Sequence, residues 1–210
     1  MSFLQKKFKY SFFYASIILI VINFAVFALE YAFPNIKFYC SLNIYNVIYR
    51  KDFFEFVSYM FIHADLKHIV LNMFALFMFA LPVERAIGSK EFLIFYFVTG
   101  VISGLLSFLV YVLTNSYFVF LMGASGAVYA VLLLYSVIYP KSKIYVWGVI
   151  PLRAPVLVLI YAIIEIVSEF IGSSNVAHLT HLFGFIAAFT YVVIRFGINP
   201  VKVWKESFRD

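Results

Sequence analysis

Apolar residues along this chain run in long unbroken blocks, with polar residues gathered in the gaps between them. A block of roughly 20 apolar residues is long enough to span a bilayer as a helix. Six blocks approach that length, at about 10–33, 66–83, 91–113, 123–139, 154–171 and 177–196, here called TM1 to TM6. Pro34 ends TM1 and Pro140 stops the short TM4. Pro151 and Pro155 sit around the start of TM5, where a helix tolerates proline. TM1 follows Lys6, Lys7 and Lys9 as a signal peptide would, but it is too long for a signal segment and no small-residue cleavage site follows it. It is read as a retained helix. The linker 34–65 is aromatic and amphipathic, and is expected to be a partly embedded outer loop. The pattern predicts an all-α polytopic membrane bundle of six transmembrane helices. It forms one integral membrane domain over 1–210, with 1–9 and 197–210 as cytoplasmic ends.

Composition excludes the soluble alternative. The chain is 65% hydrophobic and 12% charged, with a mean hydropathy of +0.99, whereas soluble domains carry about a quarter charged residues. Cys40 is the single cysteine, so no intrachain disulfide forms, and a thiol in apolar surroundings is inert. The net charge of +6 does not indicate nucleic acid, because the basic residues fall at helix ends. Their placement sets orientation instead. With the N-terminus inside, Lys6, Lys7, Lys9, Arg85, Lys90, Lys141, Lys143, Arg153, Arg195, Lys202, Lys205 and Arg209 are inner, and only Lys37, Arg50, Lys51 and Lys67 are outer. Both termini are therefore expected on the cytoplasmic side of this multi-pass protein.

This orientation makes TM2, TM4 and TM6 run from outside to inside, so their starts share the outer half of the membrane. The unusual polar residues lie there: 63-HADLKHIVLN-72, Gly123 to Gly126, and 175-NVAHLTHLFG-184. All four histidines, His63, His68, His178 and His181, belong to the first and third stretches. Intramembrane polar groups are costly and face the bundle interior. At about 1.5 Å per residue, Ser125 and His181 should both lie roughly 5–12 Å below the outer surface. Ser125 at a helix start has an unpaired backbone N–H and suits a nucleophile, although Gly-x-Ser-Gly alone fits a small-residue packing surface better. His181 is a candidate base, or a hydrogen-bonded core histidine, or one of a metal pair with His178. Tyr129 shares the face of Ser125 one turn on. His68 and Asn72 share a face of TM2 and can donate hydrogen bonds, as oxyanion donors or as interhelical glue. Glu84 and Arg85 are expected to pair or cap at the inner face. Glu165 and Glu169 lie four apart on TM5; a hydrated outward edge is preferred to a proton or cation path.

Together these residues resemble the rhomboid intramembrane serine proteases. The likeness rests on FIHADLKH at 61–68, HIVLN at 68–72, VERAIGSKEFLIFYFVTG at 83–100, GASGAVYA at 123–130 and NVAHLTHLFGF at 175–185. It covers about 53–190, the family core. The resemblance implies a six-helix fold and a Ser–His dyad with no catalytic acid. Ser125 would be the nucleophile and His181 the base. His68, Asn72 and the Ser125 amide would form the oxyanion hole, with Gly123 beside it and Tyr129 supporting His181. Gly184 would let TM6 approach TM4. It further implies transmembrane protein substrates within the lipid bilayer, cleaved through an acyl-enzyme. The site would open toward the extracytoplasmic side, with TM5 and the loop before TM6 as gate. Two features depart from the family: Phe54-Glu55 stands where many members have Trp-Arg, and Ala188 where many have a second glycine. A non-catalytic binding or quality-control scaffold on the same fold is the alternative; the intact Ser–His pair argues against it. A metal-dependent histidine protein is a further one. No HExxH motif is present, and no carboxylate is expected beside the TM6 histidines, so neither cofactor nor metal is expected.

Overall fold

The structure is a computed structural model that describes residues 8–146, 148–171 and 177–209. Lys6, Lys7 and the expected gate loop 172–176 lie outside the described residues. The first helix is α1 (Ala15–Ala32). The 34–65 linker follows, as α2 (Asn35–Cys40), a π turn at Asn46–Arg50, α3 (Glu55–Ser58) and a 3-10 turn at Tyr59–Phe61. Next come α4 (Leu66–Ile87), α5 (Ser89–Leu113) and α6 (Ser125–Ile138). A hairpin of β1 (Lys143–Val146) and β2 (Ile150–Arg153) leads into α7 (Ala154–Ile171). The chain ends with α8 (Ala177–Tyr191), a π turn at Val192–Phe196, and α9 (Pro200–Ser207). TM1 to TM6 thus correspond to α1, α4, α5, α6, α7 and α8.

Four of these rods are long and apolar enough to cross a membrane: α1, α4, α5, and His178–Phe196. α6 is apolar but has 14 residues. The outward surface is that of a membrane protein. Phe24 on α1, Phe74 and Phe77 on α4, Leu109 on α5 and Ile163 on α7 are all exposed, as lipid contact requires. α6 is the opposite case. Ala127, Ala130, Val131 and Leu134 are at most 1% exposed, and the helix touches α4, α5, α7 and α8. A helix apolar all round is a buried one, so α6 is the core of the bundle.

Three boundaries differ from the hydropathy reading, each for a local reason. TM1 begins at Ala15 rather than near residue 10. The Glu84 carboxylate of α4 accepts from the N–H groups of Ala15 (2.6 Å) and Ser16 (2.9 Å) and from Ser16 Oγ (2.6 Å), which satisfies amides that a helix start leaves unpaired. Residues before Ala15 pair instead with the α4–α5 corner, where Ser89 N–H donates to Ser11 O. TM2 runs on to Ile87 through Pro82 and stops at Gly88, whose φ of 84° suits a glycine. The Lys143–Arg153 hairpin was not expected; β1 and β2 pair antiparallel, with Tyr145 opposite Pro151. Proline is tolerated there because a two-stranded ribbon consists only of edges.

The 34–65 linker is pinned by buried polar groups. Glu55 is fully buried. Its carboxylate accepts from Asn43 N–H (3.0 Å) and Asn46 Nδ2 (2.7 Å). Asn43 Nδ2 in turn donates to Tyr117 O and Val119 O, and Leu42 and Leu121 exchange two backbone hydrogen bonds. Phe54 is exposed. The linker is therefore tied to the segment that enters α6 through Asn43, Glu55 and the Leu42–Leu121 bridge.

Burial pushes the Glu55 carboxyl from 4.5 up to about 7, against the two hydrogen bonds that lower it. Its folded value lies above the unfolded one, so its stabilising contribution is full below pH 4.5 and is lost as pH rises through about 7. Melting of the detergent-solubilised protein should therefore show a downward slope from pH 5 to 7.5 that is shallower in Glu55→Gln. Equal slopes in the two proteins would contradict this assignment.

Candidate active site

The site is assembled at the N-terminal ends of α4, α6 and α8, where the sequence concentrates its polar residues. The turn into α6 comes first. Gly123 has φ 120°, a region L side chains rarely adopt. Its N–H donates to Tyr59 O at 2.9 Å, and the Tyr59 hydroxyl donates to Gly100 O on α5 at 2.7 Å. The buried Tyr59 thus fixes the turn to the bundle. A Cβ built on Gly123 would stand 2.8 Å from His68 Cε1 and Nε2, and 3.7 Å from Ser125 Oγ. Only a glycine lets the His68 ring edge come so close to Ser125. Ser125 is the first residue of α6, so its N–H has no intrahelical partner. Among the described residues, its Oγ makes no hydrogen bond.

α4 supplies the second part. Its N-cap is Asp65, whose Oδ1 accepts from His68 N–H at 2.8 Å. The residues before it are held by α1: buried Glu30 accepts from His63 N–H at 3.1 Å, and Lys37, which pairs with Glu30, donates to Ala64 O. His68 Nδ1 accepts from Ala64 N–H at 3.4 Å. A neutral imidazole that accepts at Nδ1 carries its proton on Nε2, the nitrogen facing Gly123. Asn72 is buried, and its Nδ2 donates to His68 O at 3.1 Å. The geometry brings His68 to Ser125 and keeps the Asn72 amide on its own helix.

α8 supplies the third part. A Cβ on Gly184 would stand 2.2 Å from the Gly126 carbonyl oxygen, and one on Gly126 would stand 2.6 Å from Ser103 Oγ. Two backbones therefore touch where side chains would otherwise hold them apart. Ser103 Oγ donates to Thr180 O (2.6 Å) and Ser107 Oγ bonds Thr180 Oγ1 (2.7 Å), which joins α5 to the same place. Ala188, in place of a second glycine, is fully buried and leaves the contact intact. The result is that His181 stacks on Tyr129, with centroids 4.2 Å apart and planes 8° from parallel. Tyr129 is one turn below Ser125 on the same face of α6, so His181 lies on the serine's side of that helix.

The expectations for Glu165 and for the surroundings of the TM6 histidines are corrected here. Glu165 is 4% exposed rather than on a hydrated edge, and Glu169, one turn further out, is exposed. A carboxylate does lie beside the histidines: Glu165 Oε1 is 2.9 Å from His181 Nδ1, and Oε2 is 2.5 Å from His178 Nδ1. The Tyr129 hydroxyl also donates to Oε1. The i, i+4 spacing put both glutamates on one face but could not say that α6 and α8 cover only the deeper one. A usable signal existed. A carboxylate within a span needs a partner, and the TM6 histidines are ionisable groups near the same end of the bundle. Glu165, His178 and His181 offer donor atoms within 4.8 Å of one another, a nitrogen–oxygen set of the kind zinc accepts. In this arrangement both Nδ1 atoms are directed at the carboxylate, which already forms a complete hydrogen-bonded cluster.

Comparison with known proteins agrees with this architecture. The Rhomboid domain model matches residues 50–198, well over half of the chain. The chain belongs to the rhomboid family. It is 28% identical over 159 residues to RHOMBOID-like protein 12, mitochondrial, of Arabidopsis thaliana, covering 67% of this chain and 46% of that protein. The match thus spans about half of the Arabidopsis protein. It is 26% identical over 148 residues to a Bacillus subtilis (strain 168) protein named "Putative rhomboid protease YdcA", covering 69% of each. It is 32% identical over 74 residues to Rhomboid-like protease 3 of Toxoplasma gondii, covering 33% of this chain and 28% of that one. The rhomboid match takes in α4 to α8, and so every side chain placed around Ser125.

The α6–α8 contact has a direct test. Gly184→Ala should destabilise the protein by about 1–3 kcal/mol, because the added methyl meets backbone that cannot rotate away. Thermal unfolding in detergent measures this, and an unchanged midpoint would refute the close approach.

Proposed function

We propose that this integral membrane protein is an intramembrane serine endopeptidase that cleaves membrane-anchored proteins within or near their transmembrane segments. The stacking of His181 on Tyr129, one turn from Ser125, carries this reading. It sets a base on the nucleophile's side of α6, and the bond of His181 Nδ1 to a carboxylate leaves Nε2 for the serine. Ser125 Oγ attacks the scissile carbonyl carbon and passes its proton to His181 Nε2. The oxyanion is met by the unpaired Ser125 N–H and by His68 Nε2–H, with Asn72 joining after its amide turns from His68 O. Collapse breaks the C–N bond, and His181 returns the proton to the leaving amine. Water, activated by the same histidine, then hydrolyses the acyl-enzyme. A substrate helix must unwind locally first, because its carbonyls are otherwise held in its own hydrogen bonds.

In this reading α6 and α7 complete a set of six spans, both termini are cytoplasmic, and the site opens toward the outer side. The Glu165–His178–His181 cluster supports a metal-dependent second reading, and one assay separates the two. The purified protein is incubated in detergent with a transmembrane substrate, with and without a chelator, beside Ser125→Ala. Cleavage abolished in Ser125→Ala and indifferent to chelator is expected. Cleavage that survives Ser125→Ala would sink the serine mechanism, and loss with chelator alone would favour the metal. Within the serine mechanism, His68→Ala should lower kcat by roughly 10²–10³-fold with little change in KM.

A further inference from the structure

We propose that Glu165 is the orienting carboxylate of His181, so that the site works as a Ser–His–Glu arrangement rather than as a dyad. The inference rests on the serine-protease reading and concerns a residue that touches neither substrate nor nucleophile; Glu165 is a positioning residue acting through the histidine.

Three observations carry it. First, the Oε1–Nδ1 distance of 2.9 Å is a hydrogen bond between a buried carboxylate and one ring nitrogen of His181, which in the serine-protease reading leaves the other, Nε2, for Ser125. A carboxylate only accepts, so Nδ1 must carry the proton and neutral His181 presents a bare Nε2. That is the one tautomer able to take a proton from a serine. Second, the carboxylate is itself held from two further sides. Tyr129 donates to the same oxygen that His181 uses, and His178 Nδ1 sits 2.5 Å from the other. Third, the imidazole is fixed in the remaining direction by its stack on Tyr129. One tyrosine thus holds the ring by its face and the carboxylate by its hydroxyl. When Ser125 gives up its proton, the imidazolium that forms already faces a carboxylate in a region poor in water. An opposite charge so placed stabilises the developing cation. α7 thereby joins α6 and α8 as a source of the proton-transfer machinery.

The test measures cleavage of a transmembrane substrate by the full-length protein in detergent, comparing wild type, Glu165→Gln, Glu165→Asp and Ser125→Ala. Glu165→Gln is expected to lower kcat by roughly 10²–10⁴-fold with KM within about threefold of wild type. Glu165→Asp, which keeps the charge one methylene further back, should recover at least about tenfold of that loss. A role in packing alone predicts the reverse order, since Gln preserves the size that Asp does not. Glu165→Gln with wild-type kcat, or with activity above Glu165→Asp, overturns the proposal and leaves the protease reading standing. Absence of Ser125-dependent cleavage by wild type overturns both. Should the variants fail to fold, the wild-type protein with ¹⁵N-labelled histidine still decides. Neutral His181 must be protonated at Nδ1, and an Nε2–H tautomer refutes the proposal.

Discussion

The contact between the Gly184 position of α8 and the Gly126 carbonyl of α6 is the constraint on which the rest of the structure depends. In a bilayer there is no hydrophobic gain in bringing two apolar helices together, since lipid is as apolar as they are. Close packing and polar contacts must do the work. Two glycines remove the side chains that would hold the backbones apart, and Ser103 and Ser107 of α5 then reach Thr180 across the junction. Once α8 lies against α6 at this depth, His181 has Tyr129 beneath it and the Ser125 end of α6 beside it. A bulkier residue at either glycine would push α8 off α6 and move His181 away from Ser125.

Two other devices set the remaining coordinates. Tyr59 clamps the turn before Ser125 to α5, through its carbonyl to Gly123 and its hydroxyl to Gly100. Asp65 and Glu30 fix the start of α4, and with it the His68 ring. The 34–65 linker is therefore part of the site's frame. Its internal polar groups, Glu55, Asn43 and Asn46, are bonded to one another and to the segment entering α6. At the opposite end of the bundle the arrangement is different in kind. Arg195 and Tyr191 hold Glu91 of α5 at 2.6–2.8 Å, and Glu84 caps α1. These ionic and capping contacts fasten the helices away from Ser125 and His181.

Much of this was legible in the sequence. The apolar blocks gave the helices of the bundle, four of the described ones long enough to cross a membrane, because burial in lipid demands an internally satisfied backbone. Ser125, His68, Asn72, His178 and His181 stood out because polar groups inside a span are costly and rarely idle. Gly123 and Gly184 stood out through their motifs. What the sequence misjudged was short and local. The hairpin at Lys143–Arg153 has neither the length nor the alternation that marks a strand against a background of apolar residues. The start of α1 is set by a carboxylate 68 residues away from Ser16 in the chain.

By itself, then, the sequence determined the class of protein, the family, the helices and the candidates for nucleophile and base. These follow from composition, block length and motif, all of which are local in the chain. The tertiary structure alone decided that Glu165 belongs with those candidates. Glu165 and Glu169 are equivalent by spacing, composition and helix face. They differ only because α6 and α8 cross α7 at the depth of one and not of the other, bringing Tyr129, His178 and His181 to a single carboxylate. Helix crossing depth is a property of packed surfaces, and no periodicity along one chain segment encodes it.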